Sequence, residues 1–207
     1  MNNPRLRNRI AAAIASGATG LAIATVMIGS GNDGLEGIEH YPYKDVVGVT
    51  TVCYGHTGKD IVWGRYYSTS DCDALLKADL VKVSKQVDPL LKVTTTEPQK
   101  AAIYSFVYNV GIGAFRDSTM LRYINQGDMP AACDQLKRWV YAGGKKWNGL
   151  ISRRDVEKQV CEWQVQPVKS LLSSESRSLS WRLPAFLRGN RLTPVGALNG
   201  STVTERT

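Results

Sequence analysis

At 207 residues the chain can form one fair-sized domain with appendages, and its 43% apolar and 8% aromatic content is ordinary for a globular protein. A net charge of +8 favours an anionic partner: nucleic acid, acidic lipid or an anionic cell-wall polymer. There is no zinc spacing, P-loop, Gly-rich dinucleotide turn or helix gathering the basic residues, so nucleic acid is set aside.

Residues 10–28 carry no charge; Arg5, Arg7 and Arg9 precede them and Gly29-Ser30-Gly31-Asn32-Asp33 follows. As one helix they would span about 28 Å, just enough for a bilayer core. The positive flank predicts a cytoplasmic amino end, with everything after Ile28 outside. Only Ile10, Ile14, Leu21, Ile23, Val26, Met27 and Ile28 are large aliphatics; the rest are Ala, Gly, Ser and Thr. Membrane preference should therefore be slight. A cleaved signal peptide and a permanent anchor compete with a segment that enters the membrane and later leaves it. The apolar run is long for a signal peptide and lacks a convincing cleavage site.

Residues 36–57 read EGIEHYPYKDVVGVTTVCYGHT. Glu36 stands before a Tyr/Pro-rich turn, on a short helix leading into a hairpin. Asp45 opens a Gly-centred strand pattern, and Thr51 lies on the returning strand. Sugar hydrolysis needs a carboxylic acid to protonate the leaving oxygen and a carboxylate acting on the other side of the bond. Partial burial would raise the pKa of Glu36 and keep it protonated. Glu39 is a rival expected to be solvated.

Further on, Thr69-Ser70-Asp71 starts a helix whose apolar positions are Leu76, Leu80, Val83 and Val87, with Pro89 ending it nearby. Thr96-Glu97-Pro98 opens a second, whose AAIYSFVYNV is apolar on nearly every side, until Gly111 and Gly113 break it. Ser118 caps a short helix to Gln126. Asp128 with Pro130 starts another through Trp139 and Tyr141, stopped by Gly143-Gly144, and residues 150–165 form the last. The predicted fold is α+β: a small antiparallel hairpin lobe beside a mainly helical lobe, with a cleft suited to a polysaccharide. The expected divisions are residues 1–31, 32–166 and a basic, Ser/Gly/Arg-rich extension at 167–207.

The spacing of Glu36, Asp45 and Thr51, with the GVTTVCYGHT run, resembles the catalytic signature of the phage-type lysozymes (glycoside hydrolase family 24), over roughly residues 32–164. The amino-terminal segment resembles that of their signal-anchor-release subgroup. The resemblance implies a lysozyme-like fold and inverting hydrolysis of the β-1,4 bond between N-acetylmuramic acid and N-acetylglucosamine in peptidoglycan. It also implies transient residence in the host inner membrane, then periplasmic action that lyses the host. Glu36 would be the general acid, Asp45 the base or charge-stabilising carboxylate, and Thr51, rather than Thr50, the residue holding water. Asn109 and Trp139 are candidates for lining the saccharide cleft. His56 is expected to pair with Asp79 and tie the two lobes together. No cofactor or metal is expected, and a monomer is. A lytic transglycosylase and a wall-binding protein without turnover are the rival functions.

Cys53 stands where the family often has glycine. Three disulfide connectivities are possible for Cys53, Cys72, Cys133 and Cys161. Cys53 with Cys72 and Cys133 with Cys161 is the expected set, because the second bridge would join successive helices; a redox-sensitive role for Cys53 is the alternative. Residues 10–28 hold no cysteine, so a thiol there cannot unlock the site.

Overall fold

Residues 10–28 do not form one helix. The structure, a computed structural model, describes residues 3–45 and 48–164, which lie in one compact unit, Met1–Gln164. The extension expected from residue 167 is outside the described residues. The amino-terminal segment is divided into α1 (Pro4–Ala15) and α2 (Gly20–Ile28). The Asn3 side chain caps α1, accepting from the N–H groups of Arg5 and Leu6, and Pro4 suits the first turn, where no N–H is needed. The helix stops where the Ser16 hydroxyl donates back to the Ala13 carbonyl and Gly17 turns to φ +74°. Thr19 caps α2. Among the described residues no helix is long and apolar enough to cross a membrane. The apolar side chains of the segment are instead covered by protein: Ile10, Ile23, Ala24, Met27 and Ile28 are buried in the core.

After a 3₁₀ turn at Gly31–Asp33, Glu36 lies in a bend, not on the short helix expected for it. Strands β1 (Glu39–Lys44), β2 (Thr50–Cys53) and β3 (His56–Thr57) pair antiparallel in that order. Tyr43 sits opposite Thr51 and Lys44 opposite Thr50. Cys53 has φ +60°, a left-handed conformation that costs an L side chain energy and glycine almost nothing. That is the physical reason a glycine fits this place. Here a disulfide to Cys72 holds the cysteine in it.

Helix α3 (Thr69–Val87) starts at Thr69, as expected, behind the cap residue Ser68. Ser68 and Asp71 bond reciprocally there in a capping box. Thr96 and Gln99 do the same for α4 (Glu97–Val110), which is buried from Ala101 to Val107, as its all-round apolar pattern requires. Gly111 ends α4 at φ +83°, but Gly113 breaks nothing and lies within α5 (Ile112–Arg116). Ser118 caps α6 (Thr119–Asn125) and Asp128 caps α7 (Met129–Gln135). The α7 helix ends short of Trp139, and the Gly143-Gly144 pair is no helix stop. It turns a second hairpin, β4 (Tyr141–Ala142) with β5 (Lys145–Lys146), at φ +56° and +74°, which two glycines adopt freely. Finally, α8 (Asn148–Cys161) closes the unit, bridged to α7 by Cys133 and Cys161. Both disulfides are those expected.

Helix α2 packs against α3 and α4 at very close range. A Cβ on Gly20 would lie 2.7 Å from Lys100 Cβ and 2.9 Å from the Glu97 carbonyl oxygen, and one on Gly29 would lie 2.6 Å from Leu76 Cδ2. The Glu97 carboxylate also accepts from the Gly20 N–H at the start of α2. Glycine at both places is what lets α2 dock this closely. On the other lobe, His56 Nδ1 lies 2.6 Å from Asp79 Oδ2, so β3 is tied to α3 by a nearly buried imidazole.

Removing the Cys53 bridge should lower stability by about 2–4 kcal/mol, by the usual loop-closure reasoning. The pair Cys53→Gly with Cys72→Ala should be about 1 kcal/mol more stable than Cys53→Ser with Cys72→Ala, because only glycine is free of the left-handed cost. Urea titrations of the two double variants check this; equal midpoints would refute it. A second expectation concerns acid. The Ser68 side chain and backbone hydrogen bonds hold the Asp71 carboxyl below its ordinary value. Its stabilisation is therefore full above about pH 3.9 and is lost as pH falls through the lowered folded-state value. Melting curves at falling pH should show the wild type losing its advantage over Asp71→Asn in that acid window; parallel curves would show that this cap contributes nothing.

Candidate active site

The bend carrying Glu36 rests on the amino-terminal helices. The Leu35 N–H donates to the Met27 carbonyl at 2.9 Å, and Asn3 Nδ2 donates to the Asp33 carbonyl at 3.2 Å. From the other side, Arg153 Nη1 donates to Glu36 Oε1. The same guanidinium donates through Nε to Glu157 Oε1 at 3.0 Å and through Nη2 to the Ser105 carbonyl at 3.1 Å. Arg154 donates to the second Glu157 oxygen, to Asn109 Oδ1 and, at 3.1 Å, to the Trp139 carbonyl. Ser105 completes the set, its hydroxyl donating to Glu157 at 2.7 Å. Arg153, Arg154 and Glu157 are buried, and no buried side-chain nitrogen or oxygen among the described residues lacks a partner. Burial pulls the Arg154 guanidinium down from its ordinary pKa, while the charge of Glu157 opposes that pull.

Asp45 follows β1 directly and shapes the turn. Its Oδ1 accepts from the Val49 N–H at 2.8 Å, and its own N–H donates to the Val49 carbonyl at 3.0 Å. Residues directly opposite in an antiparallel pair share a face, and neighbours along a strand alternate. Thr51 therefore shares a face with Tyr43, while Thr50 turns to the other, where its hydroxyl accepts from Lys44 Nζ at 2.8 Å. Tyr43 reports on that face. Burial raises the pKa of its phenol, and the charges of Glu39, Glu36 and Asp45 raise it further. Glu39 is exposed at the start of β1, as expected of a solvated neighbour.

A pocket of about 380 Å³ opens at Glu36, lined with Asn109, Ala142, Trp147, Leu150 and Arg153. Asn109 therefore belongs with Glu36. Trp139 does not: its ring stands edge-on to Phe106 at 5.2 Å and packs against the core. The exposed aromatic ring at the pocket is Trp147, just past β5. Sequence reasoning passed over Trp147, Arg153, Arg154 and Glu157. For Arg153 and Glu157 a signal existed, because they share the buried stripe of α8 with Val156 and Val160, where charged residues need partners. Among the described residues no cluster of three or more His, Cys, Asp or Glu side chains is arranged to hold a metal ion.

These features can be set beside known proteins. The phage lysozyme family model matches residues 33–157. The chain is 59% identical over 166 residues to the SAR-endolysin of Bacteriophage PS119, covering 79% of this chain and 98% of that protein. Among solved structures, the muramidase domain of SpmX from Asticaccaulis excentricus superposes with a TM-score of 0.62 at 30% identity, covering 68% of this chain and 95% of that one. A mutant of P22 lysozyme gives 0.59 at 31% identity, covering 66% and 93%. The α+β fold is lysozyme-like, and the chain belongs to the phage lysozyme family.

Proposed function

We propose that this chain is a phage muramidase that cuts the β-1,4 bond between N-acetylmuramic acid and N-acetylglucosamine by inversion. The observation that supports the reading is the pocket that opens at Glu36, whose carboxyl Arg153 holds in place, in a chain of the phage lysozyme family. Glu36 gives its proton to the glycosidic oxygen as the bond to C1 breaks. A water held by the Thr51 hydroxyl attacks C1 from the opposite face, and Asp45 takes its proton, leaving two hydroxyl-ended saccharides. Arg153 fixes the direction of the Glu36 carboxyl, and preorganising a catalytic group in this way is worth rate because no reorientation is left for the transition state.

The amino-terminal segment we read as a releasable anchor, inserted in the host inner membrane with its amino end in the cytoplasm and then freed into the periplasm. Two contacts support this. The Glu36 bend is held by Met27 and by Asn3 near the amino end of α1, so the bend gains these two supports, beside Arg153, only once residues 3–28 have left the lipid. In the membrane those same residues are unavailable to it, and the enzyme is inactive.

Glu36→Gln and Asp45→Asn should each reduce clearing of cell-wall suspensions by about 10²–10⁴-fold. NMR of early products should show the α-anomer. An Asp45→Asn variant that keeps much activity and yields anhydro sugar ends would make the enzyme a lytic transglycosylase instead. Collapsing the membrane potential with an uncoupler should move wild-type protein to the soluble fraction. Gly20→Leu, which both strengthens lipid burial and clashes with α4, should stay with the membrane. Wild-type protein that remains in the membrane fraction after such treatment overturns the release reading.

A further inference from the structure

The outer side of the hairpin lobe carries an aromatic surface built by two segments. Strand β1 is an edge strand, and the Tyr67 N–H donates to its His40 carbonyl at 2.8 Å, so the loop of residues 62–67 lies along that edge. The loop is braced from within. The Arg65 N–H donates to the Val62 carbonyl at 3.3 Å, and the hydroxyl of buried Tyr67 accepts from the Val62 N–H at 3.0 Å. What the loop displays is largely apolar: Val62, Trp63 and Tyr66 are each more than half exposed, as is Tyr41 on β1. Tyr66 stands edge-on to Tyr41 at 5.4 Å and stacks on His40 at 5.2 Å, and Lys44 Nζ lies 5.9 Å over the Trp63 ring. Arg65, beside them, covers the Tyr67 ring at 4.7 Å and pairs with Asp71 at 3.4 Å. Lys44 sits opposite Thr50 and its ammonium bonds the Thr50 hydroxyl, so Trp63 lies on the face turned away from Thr51 and Tyr43. This surface is therefore separate from the face of the candidate active site.

We infer that this surface docks reversibly on an anionic lipid bilayer while the amino-terminal helices are packed in the core. Single exposed aromatics are ordinary, but a braced group of them in mutual contact marks a place where something binds. The residue types favour a lipid headgroup layer. Trp and Tyr have an apolar body and a polar tip, which suits them to the boundary between acyl chains and water. Lys44 and Arg65 stand beside the rings, where they would meet lipid phosphates, and the net charge of +8 draws the whole chain to an anionic surface. The contact is distinct from the releasable anchor, because Ile10, Ile23, Met27 and Ile28 are buried in protein and cannot reach lipid in this state. Its consequence is that the released enzyme stays beside the membrane it has left.

The test sediments the full chain, taken from the soluble fraction, with vesicles of mixed phosphatidylethanolamine and phosphatidylglycerol and with vesicles of phosphatidylcholine alone. Wild-type protein should bind the anionic vesicles more tightly, come off in high salt, and show a blue shift of tryptophan fluorescence when bound. Trp63→Ala should weaken binding on the order of tenfold, as expected for losing a half-inserted aromatic ring. Trp63→Phe should keep most of the binding and lose the blue shift. Lys44→Gln should cost about fivefold on anionic vesicles and nothing on phosphatidylcholine. Tyr141→Ala and Lys146→Gln, exposed on the second hairpin, should change neither. Equal effects of Lys44→Gln and Lys146→Gln would show attraction by bulk charge alone and overturn the inference, as would wild-type protein that binds neither vesicle. Binding that survives both high salt and Trp63→Ala would come from residues 10–28 entering the lipid, and overturns it too. Loss of sacculus binding or wall clearing in Trp63→Ala, with vesicle binding intact, would assign the surface to the cell wall instead. Trp63 and Lys44 are exposed, so these variants keep their fold, which coincident melting curves verify.

Discussion

The structure depends on where the Arg153 guanidinium points. It reaches the Glu36 carboxylate, the Glu157 carboxylate and the Ser105 carbonyl at once, and so joins the loop of the candidate acid to α8 and α4. A buried charge of this kind is tolerated only when its partners are complete, since removing one partner of a buried pair typically costs about 3–5 kcal/mol. Here the partners are complete: Glu157 is shared between two arginines and takes a hydroxyl donor from Ser105. A helix packed one turn out of register would leave two arginines and a glutamate unsatisfied in the core.

That constraint has a second half at the amino end. Glu36 accepts from Arg153 of the body on one side, and on the other Leu35 donates to Met27 of α2 and Asp33 accepts from Asn3. The segment that supplies the second set is apolar, and glycines stand at the points where it meets α3 and α4 most closely. Small side chains in an apolar context are what such close docking demands of composition.

Much of the helical lobe was legible in the sequence because its signals are local. Thr96, Ser118 and Asp128 cap helices through bonds to groups three residues away. The all-round apolar run of α4 declares its own burial. Where local signals were ambiguous the reading slipped. Gly143-Gly144 serves a helix stop and a hairpin turn equally well, and only pairing of the flanking residues decides between them. Trp139 and Trp147 are both tryptophans near the end of a helix, and nothing within a few residues says which ring meets the core and which meets the pocket.

The sequence by itself determined the carboxylate and hydroxyl spacing at Glu36, Asp45 and Thr51, the helix caps, the lobe division and the family, because each is carried by residue types at short, fixed separations. Tertiary structure alone decided that residues 10–28 bend into two helices of the core, that Arg153 rather than any neighbour of Glu36 in the chain meets its carboxylate, and that Trp147 flanks the pocket. Those outcomes join residues many positions apart: 117 positions separate Glu36 from Arg153. Contacts of that reach are selected by which packing satisfies every buried charge and fills every gap together, a condition that no stretch of chain expresses alone.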